Sequence, residues 1–252
     1  MPRTRDSSCG AVDERTFPLS SAPMCEQFVA RSAGPFTLGD LWPFTGRLER
    51  FGIAGFGWGV AWLAEDGSFG IHRDLRAFRD DPRREELGAV RTTAALVHLR
   101  RPSRLSTLTL ADAQPFADPG GRFAVSHNGD LREYRHRRER YRAQGRIHGR
   151  ADTEVAVRWL EDEWSPGERP AHVLGALHDA FGGLANFALI LPDGSVHHYA
   201  GNRENPVFGF RLGPIEMLST GIYSVDRSLF ALVCPEATGR SVVRLARTAS
   251  LG

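Results

Sequence analysis

Two stretches of this chain leave little freedom in how they can fold: GVAWLAEDGSFGIHRD (59–74) and FALILPDGSVHHYA (187–200). Each alternates apolar and polar residues on both sides of an Asp-Gly pair, the pattern of two antiparallel strands closed by a tight turn. Two further stretches, AALVHLR (94–100) and RFAVSHNG (122–129), have the apolar cores of single strands and end abruptly in polar residues, a common place for chemistry. Helices are expected after Asp130, over DTEVAVRWLEDEW with Asp152 as N-cap, and over RPAHVLGALHDAF closed by Gly182-Gly183. Hairpins with helices between them imply antiparallel sheets covered by helices, an α+β fold.

Composition narrows the chemistry. All basic residues are arginine; the chain has no lysine. That excludes a GxxxxGK[ST] phosphate loop, a kinase-type ATP lysine and a pyridoxal Schiff base, each of which needs an amine. A net charge of +2 sets up no global field for nucleic acid or membrane. Cys9, Cys25 and Cys234 are too few and too scattered for a disulfide framework or a CxxC metal site, which fits a reducing cytoplasm. No apolar run is long enough for a membrane span. With 252 residues and 41% of them hydrophobic, one domain over 25–252 is expected. Residues 1–24 mix charge, Ser and Pro without the apolar run of a secretory signal, and read as a disordered leader that is removed, or as a mis-assigned start.

Four short motifs stand in order along the chain: MC at 24–25, HLRR at 98–101, SHNGD at 126–130 and ADTE at 151–154, with GFGWG at 55–59 between the first two. This order and spacing resemble the class II glutamine amidotransferases, the cysteine branch of the N-terminal-nucleophile hydrolases, and among them the small stand-alone members that begin Met-Cys. The motifs cover roughly Met24 to Trp164. The resemblance implies a four-layer αββα sandwich of two antiparallel sheets. It also implies a small-molecule substrate, glutamine or a γ-glutamyl amide, and neither cofactor nor metal.

The roles it implies are chemically coherent. A thiolate that attacks an amide carbonyl needs a base, and a cysteine at a chain terminus carries one in its own α-amine. Cys25 fills that role only if Met24 and everything before it is gone; otherwise it is one more buried small hydrophobe. Asn128 and the backbone amide of Gly129 would hold the oxyanion of the tetrahedral intermediate, although an isolated HNGD is also an ordinary turn. Arg100 would grip the substrate α-carboxylate and Asp152 its α-ammonium. Gly57 and Trp58 of GFGWG would contribute to substrate binding, while His127 is expected to be structural.

Some positions depart from the family pattern. QPF (114–116) stands where His-Pro-Phe is usual, and Phe56 where a polar residue is common, so Gln114 and Phe56 are candidate pocket residues. LSTGIYSVD (218–226) lacks the expected Ser-Glu-Pro-type segment. Either the chain hydrolyses a γ-glutamyl amide itself, or it passes ammonia to a separate synthase subunit. A different class of function rests on LREYRHRRERYRAQGRIHGR (131–150), whose eight arginines and two tyrosines could bind RNA or another polyanion. A solvated face of an amphipathic helix explains the same run without a ligand.

Overall fold

The computed structural model describes residues 25–52, 54–102, 105–221 and 227–252. The leader 1–24 lies outside the described residues, as does 222–226 of the LSTGIYSVD segment. In chain order the elements begin with β1 (Glu26–Thr37), α1 (Trp42–Gly52), β2 (Trp58–Leu63), β3 (Phe69–Asp74), α2 (Arg83–Gly88) and β4 (Arg91–Leu99). Next come β5 (Phe116–Ala117), β6 (Ala124–Leu131), α3 (Arg135–Ala143), α4 (Asp152–Glu163) and α5 (Pro170–Phe181). The last are β7 (Gly183–Ile190), β8 (Val196–Gly201), β9 (Val207–Leu212), β10 (Ile215–Thr220), α6 (Arg227–Val233), β11 (Thr238–Val242) and β12 (Arg247–Leu251).

The strands form a seven-stranded sheet, β11-β9-β10-β1-β4-β2-β3, and a five-stranded sheet, β12-β8-β7-β6-β5, in which every pairing is antiparallel. Strand alternation sorts the side chains into layers. Phe28 and Ala30 of β1 face α1 and join Phe44 and Leu48 in one core, whereas Val29 faces the other sheet. On the far side, Val125 of β6 and Phe187 of β7 pack with Val155 of α4 and Leu174 of α5. The result is helix, sheet, sheet, helix, the αββα order. Between the sheets lies a thin core with small members: Ala61, Ala94, Ala124, Ala188 and Ala200.

Both Asp-Gly hairpins form, as β2–β3 and β7–β8. Each turn uses the same device: Gly67 and Gly194 take φ of +81° and +79°, and the preceding aspartate accepts from the following serine N–H (2.9 and 2.8 Å). Pro35 sits where the β1–β4 register shifts, between Arg31 and Phe36, so no ladder bond is lost to its missing N–H. Gly182, at φ +61°, closes α5. One expectation fails. Asp152 does not cap α4 but is its first residue, with Ala151 at the cap, because its carboxylate is turned back toward β6. No helix among the described residues is long and apolar enough to cross a membrane.

Candidate active site

The register of the larger sheet brings two sequence-distant motifs together. Glu26 stands opposite Leu99, so the residue before β1 meets the residues after β4. The Cys25 Sγ accepts the Arg101 backbone N–H at 3.3 Å. The smaller sheet supplies the facing wall. Asn128, fully buried on β6, donates its Nδ2 to the Cys25 carbonyl, and Gly129 follows it at φ +140°. A β-carbon on Gly129 would lie 1.8 Å from the Leu184 carbonyl oxygen, so no side chain fits there.

Cys25, Arg100, Gln114, Gly129, Asp152 and Thr153 all line one cavity of about 350 Å³. Arg100 is 5% exposed and donates to the carbonyls of Thr109 (3.1 Å) and Thr107. Among the described residues its guanidinium makes no bond to a carboxylate, so it offers an anion a nearly dry cation. Asp152 accepts the N–H groups of Leu131 and Thr153, each at 2.8 Å, which fixes both of its oxygens on the cavity wall. The structure thus places a cation and a carboxylate at fixed positions in the cavity that also holds the thiol. Burial pushes the Cys25 thiol up to about 11, against smaller lowering effects from the Arg101 N–H and the Arg100 charge.

Gly57 and Trp58, expected to contribute to substrate binding, do not line this cavity. Alternation along β2 puts Trp58 with Val60 on the helix-facing side, where it is 1% exposed, packs edge-on to Trp42 and Phe78, and donates to Asp81 at 3.0 Å. Gly57 acts through its backbone: its carbonyl accepts the Arg100 N–H at 2.9 Å. Phe56 does not line the cavity and is 45% exposed. Gln114 does line it, and its amide also behaves as a short strand partner for β6, accepting the His127 N–H (2.6 Å) and donating to the His127 carbonyl (3.1 Å). His127 itself meets Thr153 Oγ1 at 3.2 Å and stacks on Phe187.

Sequence reasoning missed several buried polar residues here. Gln27 bridges the two sheets, accepting from Ser126 (2.7 Å) and donating to the Asn186 carbonyl (3.1 Å). Glu26, Asn186 and Asn205 form a second group behind Asn128. Among the described residues neither ring nitrogen of His98, which lines the cavity at 1% exposure, has a hydrogen-bond partner, and burial, helped by the Arg100 charge, holds it neutral, with its pKa about 3. The one usable signal was a lone polar residue inside an apolar strand, as in LANFALI. Among the described residues, His72, Asp74 and Asp81 alone bring three metal-type ligand atoms within 4.8 Å, but Arg76 pairs with both carboxylates (2.6 and 3.3 Å).

Part of the arginine run is committed to the protein. Arg138 donates to the carbonyls of Gly149, Arg150 and Ala151, Arg146 pairs with Glu161 and Asp162, Arg142 with Glu139, Arg140 with Asp162, and Arg137 lies over Phe181. Arg132, Arg135, Arg140, Arg142 and Arg150 remain exposed.

Residues 102–191 match a protein-family model described as a glutamine amidotransferase domain. The match contains SHNGD and Asp152 but neither Cys25 nor Arg100. No curated protein sequence matches the chain. Among solved structures, glutamine phosphoribosylpyrophosphate amidotransferase from B. subtilis, complexed with ADP and GMP, is similar with a TM-score of 0.67 at 16% identity, over 90% of this chain and 49% of that one. A structure described as the allosteric regulatory enzyme of purine biosynthesis gives 0.69 at 15% identity, over 90% and 46%. A glutamine aminotransferase class-II domain protein from Silicibacter pomeroyi gives 0.55 at 18% identity, over 90% and 94%. The chain therefore spans about half the length of the first two. At these identities the likeness is one of fold: two antiparallel sheets with helix layers outside them. The motif resemblance to glutamine amidotransferases agrees with the family match, which contains two of the same motifs, and with the fold.

Proposed function

We propose that the chain is a cysteine amidohydrolase of the class II glutamine amidotransferase type, acting in the cytoplasm on glutamine or a γ-glutamyl amide, with Cys25 as an N-terminal nucleophile. The observation that carries this reading is the convergence of Cys25, Arg100, Gly129 and Asp152 on one cavity, with the Asn128 amide against the Cys25 carbonyl. Arg100 receives the substrate α-carboxylate and Asp152 its α-ammonium, which leaves the side-chain amide directed at Cys25. The α-amine takes the thiol proton as Sγ attacks the γ-carbonyl carbon. Asn128 Nδ2 and the Gly129 N–H hold the oxyanion. Collapse of the tetrahedral intermediate breaks the C–N bond, and the amine returns its proton to the departing ammonia or amine. Water, deprotonated by the same amine, then cleaves the γ-glutamyl thioester to release glutamate. Ammonia goes to solvent or to a separate synthase subunit.

The thiol favours this route over an internal cysteine. With its nitrogen in a peptide bond and a pKa of about 11, Cys25 stays overwhelmingly a thiol at pH 7.5 and lacks the α-amine as a base. Removal of Met24 and the leader supplies the base, whether translation begins at Met24 or a processing step cuts after it. Because the chain has no lysine, an amine-selective acylating reagent can mark only the chain terminus. Protein beginning at Cys25 should hydrolyse glutamine and lose activity in proportion to acylation of that amine, whereas protein retaining residues 1–24 should be nearly inactive. Equal activity from both forms, with the leader still attached by intact mass, would refute the mechanism.

A further inference from the structure

An asparagine can present either end of its amide to a substrate. The choice matters at position 128: one orientation offers a hydrogen-bond donor to an oxyanion, and the other offers an oxygen that repels it. The structure contains a chain of polarity that decides between them, and it begins at backbone atoms, which cannot exchange roles. Between β8 and β9, the Asn202 backbone N–H donates to Asn186 Oδ1 at 3.1 Å, and the Asn205 backbone carbonyl accepts from Asn186 Nδ2 at 2.7 Å. An N–H can only donate and a carbonyl can only accept, so the Asn186 amide has one permitted orientation. Its Nδ2 then also donates to Asn128 Oδ1 at 3.0 Å, across the directly opposed pair Asn128–Asn186 of the β6–β7 ladder. With that oxygen claimed, Asn128 Nδ2 is left facing Cys25. The Asn205 side chain supports the same arrangement, donating to Asn128 Oδ1 (3.4 Å) and to Glu26 Oε2 (3.3 Å). Asn128 and Asn186 are fully buried, and Asn205 is 4% exposed, so water does not compete for these bonds.

We infer that Asn186 is a positioning residue for this site: it sets the polarity of the Asn128 amide and so controls the rate of acylation rather than the affinity for glutamine. The inference rests on the proposed amidohydrolase reading and adds to it a residue outside the cavity that touches no substrate.

The test compares Asn186→Asp with Asn186→Ala in protein that begins at Cys25, assayed from pH 6 to 10 because only the ionised carboxyl lacks a proton to donate, alongside Asn128→Ala. The aspartate keeps the shape of asparagine but cannot donate to Asn128 Oδ1. It instead accepts from Asn128 Nδ2 and turns the donor away from the oxyanion. Asn186→Asp should therefore lower kcat about a hundred-fold and Asn186→Ala about ten-fold, both with KM within about three-fold of wild type and a normal titre of alkylatable Cys25. A role in packing alone predicts instead that both variants lose folded, alkylatable protein, with the kcat of the folded fraction unchanged. An aspartate variant as active as the alanine variant or more so would overturn the inference. Should Asn186→Asp fail to fold, the alanine variant carries the test alone: a fall in kcat at constant KM supports the inference, and an unchanged kcat overturns it. Loss of kcat in Asn128→Ala with both position-186 variants unimpaired would reject the role of Asn186 and leave the amidohydrolase reading standing. Absence of turnover by the wild type would reject both.

Discussion

Replacing Gly129 by alanine tests whether the geometry of the SHNGD strand end is catalytic. The added methyl would meet the Leu184 carbonyl oxygen at 1.8 Å, its carbon at 2.7 Å and the Ala185 Cα at 3.2 Å. Ordinary contact between a methyl and a carbonyl oxygen lies above about 3 Å, so β6 and β7 must part locally by about 1 Å or more. The backbone must also keep φ near +140° with a side chain present, a strain of about 1–3 kcal/mol. Together these cost about 2–4 kcal/mol, which for a chain of this size lowers Tm by about 5–15 °C. A 1 Å displacement of the amide proposed to face the reacting carbonyl should lower kcat about a hundred-fold, a larger effect than on KM for glutamine because the Arg100 bonds to Thr107 and Thr109 lie outside β6. Gly145→Ala is the control: its φ is +71° and nothing lies within 4 Å of the added carbon, so it should lose about 1 kcal/mol and no activity. Thermal unfolding and coupled glutamate release measure both effects. A Gly129→Ala protein with the Tm and kcat of Gly145→Ala would refute the reasoning.

Other outcomes follow from the same geometry. Arg100→Ala should raise KM for glutamine strongly, by about ten-fold or more, while alkylation of Cys25 proceeds as in wild type; an unchanged KM in a folded protein would remove Arg100 from the substrate site. Asn128→Ala should lower kcat about a hundred-fold or more, and near wild-type turnover would reduce SHNGD to a turn. Burial raises the Glu26 carboxyl to about 8 from 4.5, against the hydrogen bonds of Thr220 and Asn205. Its stabilising contribution is complete below pH 4.5 and is lost as pH rises through 8, on the order of several kcal/mol across the window. Glu26→Gln, which cannot ionise, should therefore gain Tm relative to wild type between pH 5 and 8 and no further above it; a constant difference across that range would show that Glu26 does not titrate there.

What the sequence revealed depended on how local the cause was. The two Asp-Gly hairpins and the close of α5 at Gly182 are set by turn residues acting on their own backbone, and all of them form. The meeting of Cys25 with Arg100, Gly129 and Asp152 was legible through motif order, although no periodicity in the chain predicts it. Trp58 went astray because a glycine-rich segment beside a substrate arginine resembles a pocket wall, whereas strand alternation turns the indole to the opposite side. Asp152 reads as a cap because aspartate favours that position, but its oxygens are claimed by Leu131 and Thr153. Glu26, Asn186 and Asn205 belong to three segments that meet only once both sheets are stacked, so their cooperation is a tertiary property.

The proposed nucleophile and the proposed oxyanion donors stand on different sheets: Cys25 precedes β1 of the larger one, and Asn128 and Gly129 belong to β6 of the smaller. Their separation is therefore set by the thickness of the interlayer, where five alanines keep the sheets close and Gln27 ties them at the catalytic end. A methylene added there, far from the cavity, would widen the gap between attacking sulfur and waiting amide, and an enzyme with every site residue intact could be silenced by a change in its own upholstery.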